Sequence, residues 1–527
     1  MMTKSRIGTT LLLLCILGLY GCDAGLDIDP TGSVTTDQYW QRDSDAVTAV
    51  NAVYLELDSN QMVKELDAIT DIAYRALSGP GGLYDVQTGN VAASNNSITG
   101  IWDRYYRGIR RANDVITNVD NIQQVTDQDL VNRVENEARF LRAYFYTQLT
   151  TLWGDVPLIL EPLEINEHVG RTARDEVVDF IINELDDIIN SQGLPISYSG
   201  ADIGRATLGA AQALKARVAL RNERWTEARD ASLAVIESGV YSLYPDYEGL
   251  FQYEGQNSNE IIFDRQYHRE GQTYNAFSYS ASSIGGNSTV EPIHHLYLMH
   301  RLDDDEFDLD ELDSWEEAYD NLDPRWDHNV YYTGQPIGNS TYDSRPESPT
   351  ADRVNLTETT SAHGYNVKKW IDYPNDSNNP GQGAINVILI RYADVLLMYA
   401  EASAELGMID QSVYDAINEV RQRPTVDLDP LDETDLPDRD AIIDYLQEER
   451  AREFAFEGLR LYDMNRWQLG ELRTGRVYGH VFERSNGELY LHSTNFDRGH
   501  RDHHYLWPIP QSEVNSNDEI TGNNPGY

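Results

Sequence analysis

Gly204-Arg205-Ala206-Thr207-Leu208-Gly209-Ala210-Ala211-Gln212-Ala213-Leu214-Lys215-Ala216-Arg217-Val218-Ala219-Leu220 is the stretch that decides the fold. Thr207, Ala210, Ala211, Leu214, Ala216, Val218 and Leu220 recur at helical spacing and predict one helix. A short break at Asn222, Glu223 and Arg224 precedes a second, carried by Trp225, Ala228, Leu233, Val235 and Ile236. A break that short turns the chain back on itself, and alanine where two helices cross lets their backbones approach. The stretch therefore reads as an antiparallel helix pair.

Working outward, residues 387–406 followed by 412–423, broken at Gly407, read as a similar pair. Towards the N-terminus, Ser44 reads as the cap of a helix with Val47, Val50, Val53, Tyr54 and Leu57 on one face. A second helix is expected from about Trp102 to Val119, with residues 78–100 as loop. A third, from about Leu130 to Leu152, is ended by Gly154 and Pro157. A fourth covers roughly residues 175–189 and pairs with the third. Helix returns after Ala441, through Leu461 to Trp467. Recurring pairs predict a mainly α fold: a tetratricopeptide-like helix-hairpin scaffold with a large loop-rich insertion lobe containing short β segments. A plain helical bundle is the alternative, and periodicity separates the two poorly.

That lobe spans residues 241–383, where Gly, Asn, Ser, Asp and Tyr dominate and Glu260-Ile261-Ile262-Phe263 reads as β. A structured loop region of this length usually carries function. The expected organisation is a leader over 1–21, a tether over 22–43, a helical region over 44–240, the lobe, and a C-terminal helical region over 384–527.

The leader has a positive start (Lys4, Arg6), an apolar run from Leu11 to Leu19 too short to span a bilayer, and Leu19-Tyr20-Gly21-Cys22. That ending resembles a bacterial lipobox, cut before Cys22 with the thiol acylated. Only Cys15 and Cys22 are present, so the mature chain would carry a single thiol and no internal disulfide. Lipid at Cys22 would hold the protein on a membrane without a spanning helix.

The chain as a whole is strongly acidic: 87 Asp and Glu against 41 Lys and Arg, a net charge of −46. This repels nucleic acid and anionic lipid, so neither is expected as a partner beyond the anchor itself. Acidity spread along the chain, with only Lys4, Lys64, Lys215, Lys368 and Lys369 as lysines, points to high-salt adaptation. No His-Glu-x-x-His, phosphate loop, G-x-S-x-G elbow or C-x-x-C occurs. His500 and His504 are spaced i, i+4, but Gly499 makes a helix there doubtful, so no metal and no cofactor are expected. Among 87 carboxylates a pair at glycosidase separation can arise by chance, which leaves a hydrolase open.

Several segments resemble, in order, the SusD/RagB family of outer-membrane nutrient-binding lipoproteins. They include Leu26-Asp27-Ile28-Asp29-Pro30, Arg139-Phe140-Leu141-Arg142-Ala143-Tyr144-Phe145-Tyr146, Trp153-Gly154-Asp155-Val156-Pro157, and the helix pair above. They continue with Asp323-Pro324-Arg325, Val367-Lys368-Lys369-Trp370, Arg391-Tyr392-Ala393-Asp394, Glu449-Arg450-Ala451-Arg452-Glu453 through Gly458, and Leu506-Trp507-Pro508-Ile509-Pro510. The resemblance implies a surface-exposed lipoprotein of the cell outer membrane. Such a protein caps a TonB-dependent transporter of the SusC type and hands it oligosaccharide or, in some members, peptide. These motifs read as scaffold: Arg391 and Asp394 as buried pairing groups, Gly154 and Gly458 as turn residues.

For the ligand site the expected residues are Tyr74, Arg75 and Tyr84 with Tyr274, Tyr279, Trp315 and Trp326. They lie in Gly/Asn/Asp-rich segments without helical periodicity, so fewer of them are needed for a helix–helix core. Ring faces with nearby polar groups suit a non-catalytic glycan binder. A peptide binder and a surface glycoside hydrolase are the alternatives, and Trp326, beside the Asp323-Pro324-Arg325 turn, is the most structural of the seven.

Overall fold

The computed structural model describes residues 39–76, 83–303 and 307–527; Cys22, the leader and most of the tether lie outside them. Five helices build the N-terminal scaffold: α1 (Asp43–Tyr54), α2 (Asn60–Asp67), α3 (Asn96–Asn118), α4 (Gln128–Trp153) and α5 (Arg174–Asn190). The deciding stretch forms α6 (Leu208–Arg221) and α7 (Trp225–Glu237), packed on one another. The Thr207 hydroxyl accepts from Ala210 N at 3.1 Å, a cap worth about 1 kcal/mol. Ala210, Ala211, Ala213, Ala216 and Ala219 are all fully buried on α6, which lets its neighbours close in. α8 (Tyr392–Glu405) and α9 (Gln411–Arg421) form the C-terminal pair, followed by α10 (Arg439–Glu453) and α11 (Arg460–Arg466). The pairs share one hydrophobic core, to which the tail contributes Trp507 and Ile509. Among the described residues no helix is long and apolar enough to cross a membrane.

Several expected boundaries moved, each for a local reason. α3 begins before Trp102 because the Asn95 side chain accepts from Ser97 N and Ile98 N, converting part of the expected loop into helix. α1 begins at Asp43 rather than after Ser44, with Asp45 accepting from Arg42 N. Residues 387–391 are strand, not helix. β4 (Val387–Arg391) pairs antiparallel with β2 (Ile261–Arg265), and the β-branched run Val387-Ile388 belongs to that ladder. The helix expected through Trp467 is cut by Phe456 and Gly458, both at positive φ. Gly458 has a second reason to be glycine, because a Cβ there would meet Val63 Cα at 2.8 Å.

The lobe holds short ladders, including β1 (Ala73–Arg75) against β3 (Val290–Pro292). Sequence reading missed the longest ladder, the hairpin β5 (Gly475–Glu483) and β6 (Leu489–Arg498), despite the Asn486-Gly487 turn. The hairpin comes from the C-terminal region yet packs into the lobe, where His480 N donates to His363 O. A buried ionic chain ties lobe to scaffold. Arg391 donates to Glu260, Glu453 and Glu457, and Arg423 to Glu260 and Glu453. Lys369 meets Glu457, while Arg325 joins Asp323, Glu449 and Glu453. Four of the quoted motif segments therefore meet in one network.

Candidate functional site

β1 lies flat between β3 and the hairpin, and its position sets the site. Gln87 clips it on the other side: its Oε1 accepts from Arg75 N, and its Nε2 donates to Arg75 O. Tyr74, opposite Glu291 in the ladder, turns its ring inward against His363 (4.5 Å between centroids) and Phe496 (5.1 Å). Arg75 Nε donates to Glu65 Oε2 at 2.7 Å. Tyr84 opens the short helix Tyr84–Gln87, half-buried, with its ring 5.7 Å from Phe496. Tyr279, also half-buried, has the Lys64 ammonium 5.3 Å from its ring centre.

Arg75 and Tyr279 are thus brought to one polar seam on α2, made by Asn60, Lys64 and Glu65, and Leu83 N, next to Tyr84, donates to Glu65 Oε2 at 3.4 Å. Lys64 Nζ donates to Asn60 Oδ1 at 3.0 Å and to no carboxylate. Burial pushes its amine down to about 7. Asn60 Nδ2 and Glu65 Oε1 are buried without a hydrogen-bond partner among the described residues. A buried polar atom left unpaired costs about 1–3 kcal/mol, and Asn60 and Glu65, 2% and 5% exposed, are closed off from solvent.

The other expected residues lie elsewhere. Trp315 and Trp326 belong to an aromatic cluster against which Tyr279 also packs, and in which Tyr319 stacks on Tyr332 at 4.5 Å and Trp315 lies 5.6 Å from His480. Tyr274 is in another, its hydroxyl donating to Ile385 O at 3.1 Å. Tyr74 (2% exposed), Arg75 (8%) and Trp326 (0%) are corrected to interior positions that offer a ligand no free face. The reason is that the lobe has an aromatic core of its own, so lack of helical periodicity does not release a ring from packing. Trp315, Tyr84, Tyr274 and Tyr279 remain half-buried. Reading the sequence missed Asn60, Lys64, Glu65 and Phe496. A lysine in an otherwise lysine-poor chain was the available signal for the first three.

Among the described residues no group of three or more His, Cys, Asp or Glu is placed to hold a metal ion. His500 and His504 have ring centres 5.5 Å apart, and burial lowers them to about 3 and about 4.

The profile described as the SusD family matches residues 259–527, and one described as "Starch-binding associating with outer membrane" matches residues 34–220. The chain belongs to the SusD/RagB family. It is 25% identical to the SusD-like protein P25 of Formosa agariphila, over 97% of this chain and 98% of that protein. A SusD-like carbohydrate binding protein from Bacteroides fragilis superposes with a TM-score of 0.83 at 24% identity, covering 92% of this chain and 99% of that one. Surface glycan-binding protein A from Bacteroides thetaiotaomicron, solved with laminarihexaose, gives a TM-score of 0.69 at 21% identity, over 92% and 100%. In this SusD-like chain the quoted motifs are scaffold. Arg391 and Asp394 are each 1% exposed and ion-paired, Gly154 ends α4 at φ +74°, and Trp153 Nε1 donates to Pro508 O at 2.9 Å.

Proposed function

We propose that this protein binds carbohydrate without turning it over. On this reading it is anchored through acylated Cys22 on the outer face of the outer membrane and delivers glycan to a TonB-dependent transporter of the SusC type. The observation that carries the reading is the end-to-end likeness to SusD-like proteins solved as carbohydrate binders, one of them with a laminarin fragment in place. The description of the N-terminal profile, starch binding in association with the outer membrane, supports it further. The half-buried rings of Tyr84 and Tyr279 support it chemically, since sugars present C–H faces to rings.

Affinity electrophoresis and calorimetry against a panel including laminarin and starch test the reading, with reducing ends measured after prolonged incubation. Binding to at least one polysaccharide without new reducing ends is expected. Turnover that persists in pure protein and disappears on one carboxylate substitution would overturn it in favour of a hydrolase. Binding of peptides in place of every glycan would overturn the substrate class.

A further inference from the structure

A cavity away from the lobe collects guanidinium groups in a chain of net charge −46. It measures about 330 Å³ and is walled by the N-terminus of α5, the C-termini of α6 and α11, and Tyr505 of the tail. That volume falls within the range of small-molecule sites, roughly 300–1,000 Å³.

Nearly every polar side chain around it is already committed. Thr151 donates to Thr147 O, Asn222 Nδ2 to Val218 O, and Gln468 Nε2 to Asn465 O. Asn465 is held at both ends, by Tyr505 O and by Arg473. Arg466 is spent on Asp463 and Glu401. Arg174 and Arg221 are the exceptions. Arg221, only 7% exposed, donates Nη1 to the neutral Gln148 and lies 4.0 Å over the Tyr462 ring, with no carboxylate in ion-pairing reach among the described residues. Arg174 gives Nη2 to Arg221 O, and its Nε is buried without an acceptor. Asp175 and Glu223 stand on the rim, exposed to water and paired with neither arginine.

A buried guanidinium without a directly bonded carboxylate is costly, even with Asp463 and Asp394 near Arg221 and Asp175, Glu223 and Asp155 near Arg174, and an oxyanion is the group that matches its planar donor fork. Burial, with Arg217 nearby, lowers Arg221 to about 10 against the opposing pull of Tyr462, Asp463 and Asp394. Tyr505, half-buried, adds an aromatic side chain to the wall.

We propose that this cavity binds a single acidic sugar residue, its carboxylate or sulfate held by Arg174 and Arg221 and its ring against Tyr505. The site is separate from the α2 seam. Failure of the protein to bind neutral polysaccharide would leave it standing.

Isothermal titration at constant ionic strength tests it with D-glucuronate, glucose 6-sulfate, D-glucose and inorganic sulfate. At least one of the two acidic sugars is expected to bind, with glucose at least tenfold weaker. Which acid wins separates the carboxylate from the sulfate source. Arg174→Gln, at a half-buried position, should weaken that binding about tenfold while leaving the melting temperature close to wild type. Arg221→Lys should weaken it further. The proposal is overturned if neither acid binds, if glucose binds as well, or if R174Q binds like wild type. Inorganic sulfate binding as tightly as the acidic sugar would reduce the cavity to an ion site and overturn the sugar assignment.

Discussion

Arg217 Nη2 donates to Asp394 Oδ2 at 2.7 Å across 177 residues of chain, joining the two helix pairs. The second oxygen of Asp394 accepts from Arg450 Nη1 at 2.8 Å, so one carboxylate holds three helices together. Burial alone would raise this carboxyl, but Arg217 and Arg450 hold it well below the usual range. Removing one partner of a buried pair leaves an uncompensated charge, at about 3–5 kcal/mol. Asp394→Asn should cost about that much in urea unfolding. Equal midpoints for variant and wild type would contradict the pairing.

Acid should unfold the protein through the same groups. Asp71, Asp323, Asp394 and Glu453 are buried, which by itself would raise them. Their arginine partners nonetheless hold all four below the ordinary carboxylate range. Their folded pKa values are depressed, so their stabilisation is full above the unfolded value near 4 and is lost as pH falls further. Asp67 works in the opposite sense: burial pushes it up to about 7, so its contribution fades as pH rises from about 4 to 7. A melt series is expected to fall steeply below about pH 4. A flat profile there would show these pairs to be unimportant.

Lys64 adds a window on the alkaline side. Its folded pKa of about 7 lies below the unfolded value near 10.4, so the unfolded chain binds more protons between them and stability should rise with pH there. The slope is at most about 1.4 kcal/mol per pH unit. Lys64→Met should flatten that rise, and an unchanged slope in the variant would place the effect elsewhere.

The half-buried rings and the interior one should respond differently to truncation. Tyr84→Ala, Tyr279→Ala and Trp315→Ala should each weaken glycan binding by roughly 0.5–1.5 kcal/mol with little change in melting temperature. Trp326→Ala should instead cost about 3–5 kcal/mol of stability, since it opens a cavity in the lobe core. Wild-type affinity in all three of the first group would move the site away from these rings.

Charge and anchor give two further tests. At about 0.01 M salt the screening length grows to about 30 Å, and a net charge of −46 repels itself across the molecule. The melting temperature should therefore drop in dilute buffer, and a rise would count against salt adaptation. Cys22→Ala should move the protein from washed outer membranes to the soluble fraction, where retention would refute lipid anchoring.

The sequence by itself determined the helix pairs. Spacing such as Ala210, Ala211, Leu214 and Val218 is set by residues within a few turns of one another, and so were the stops at Gly154 and Gly407. It also pointed to the scaffold role of Arg391 and Asp394, because charged residues inside an apolar segment must find partners. Only the tertiary structure decided that residues 387–391 join the sheet, since their ladder partner, 261–265, lies more than a hundred residues away. It likewise decided which aromatics are free. Tyr74 and Tyr84 look alike in loop-rich sequence, yet one is packed against His363 and Phe496 while the other stays half-open. The pairing of Arg174 with Arg221 across the ends of two helices was also beyond local reading. Burial and electrostatic balance are sums over neighbours from distant parts of the chain, and no local pattern contains them.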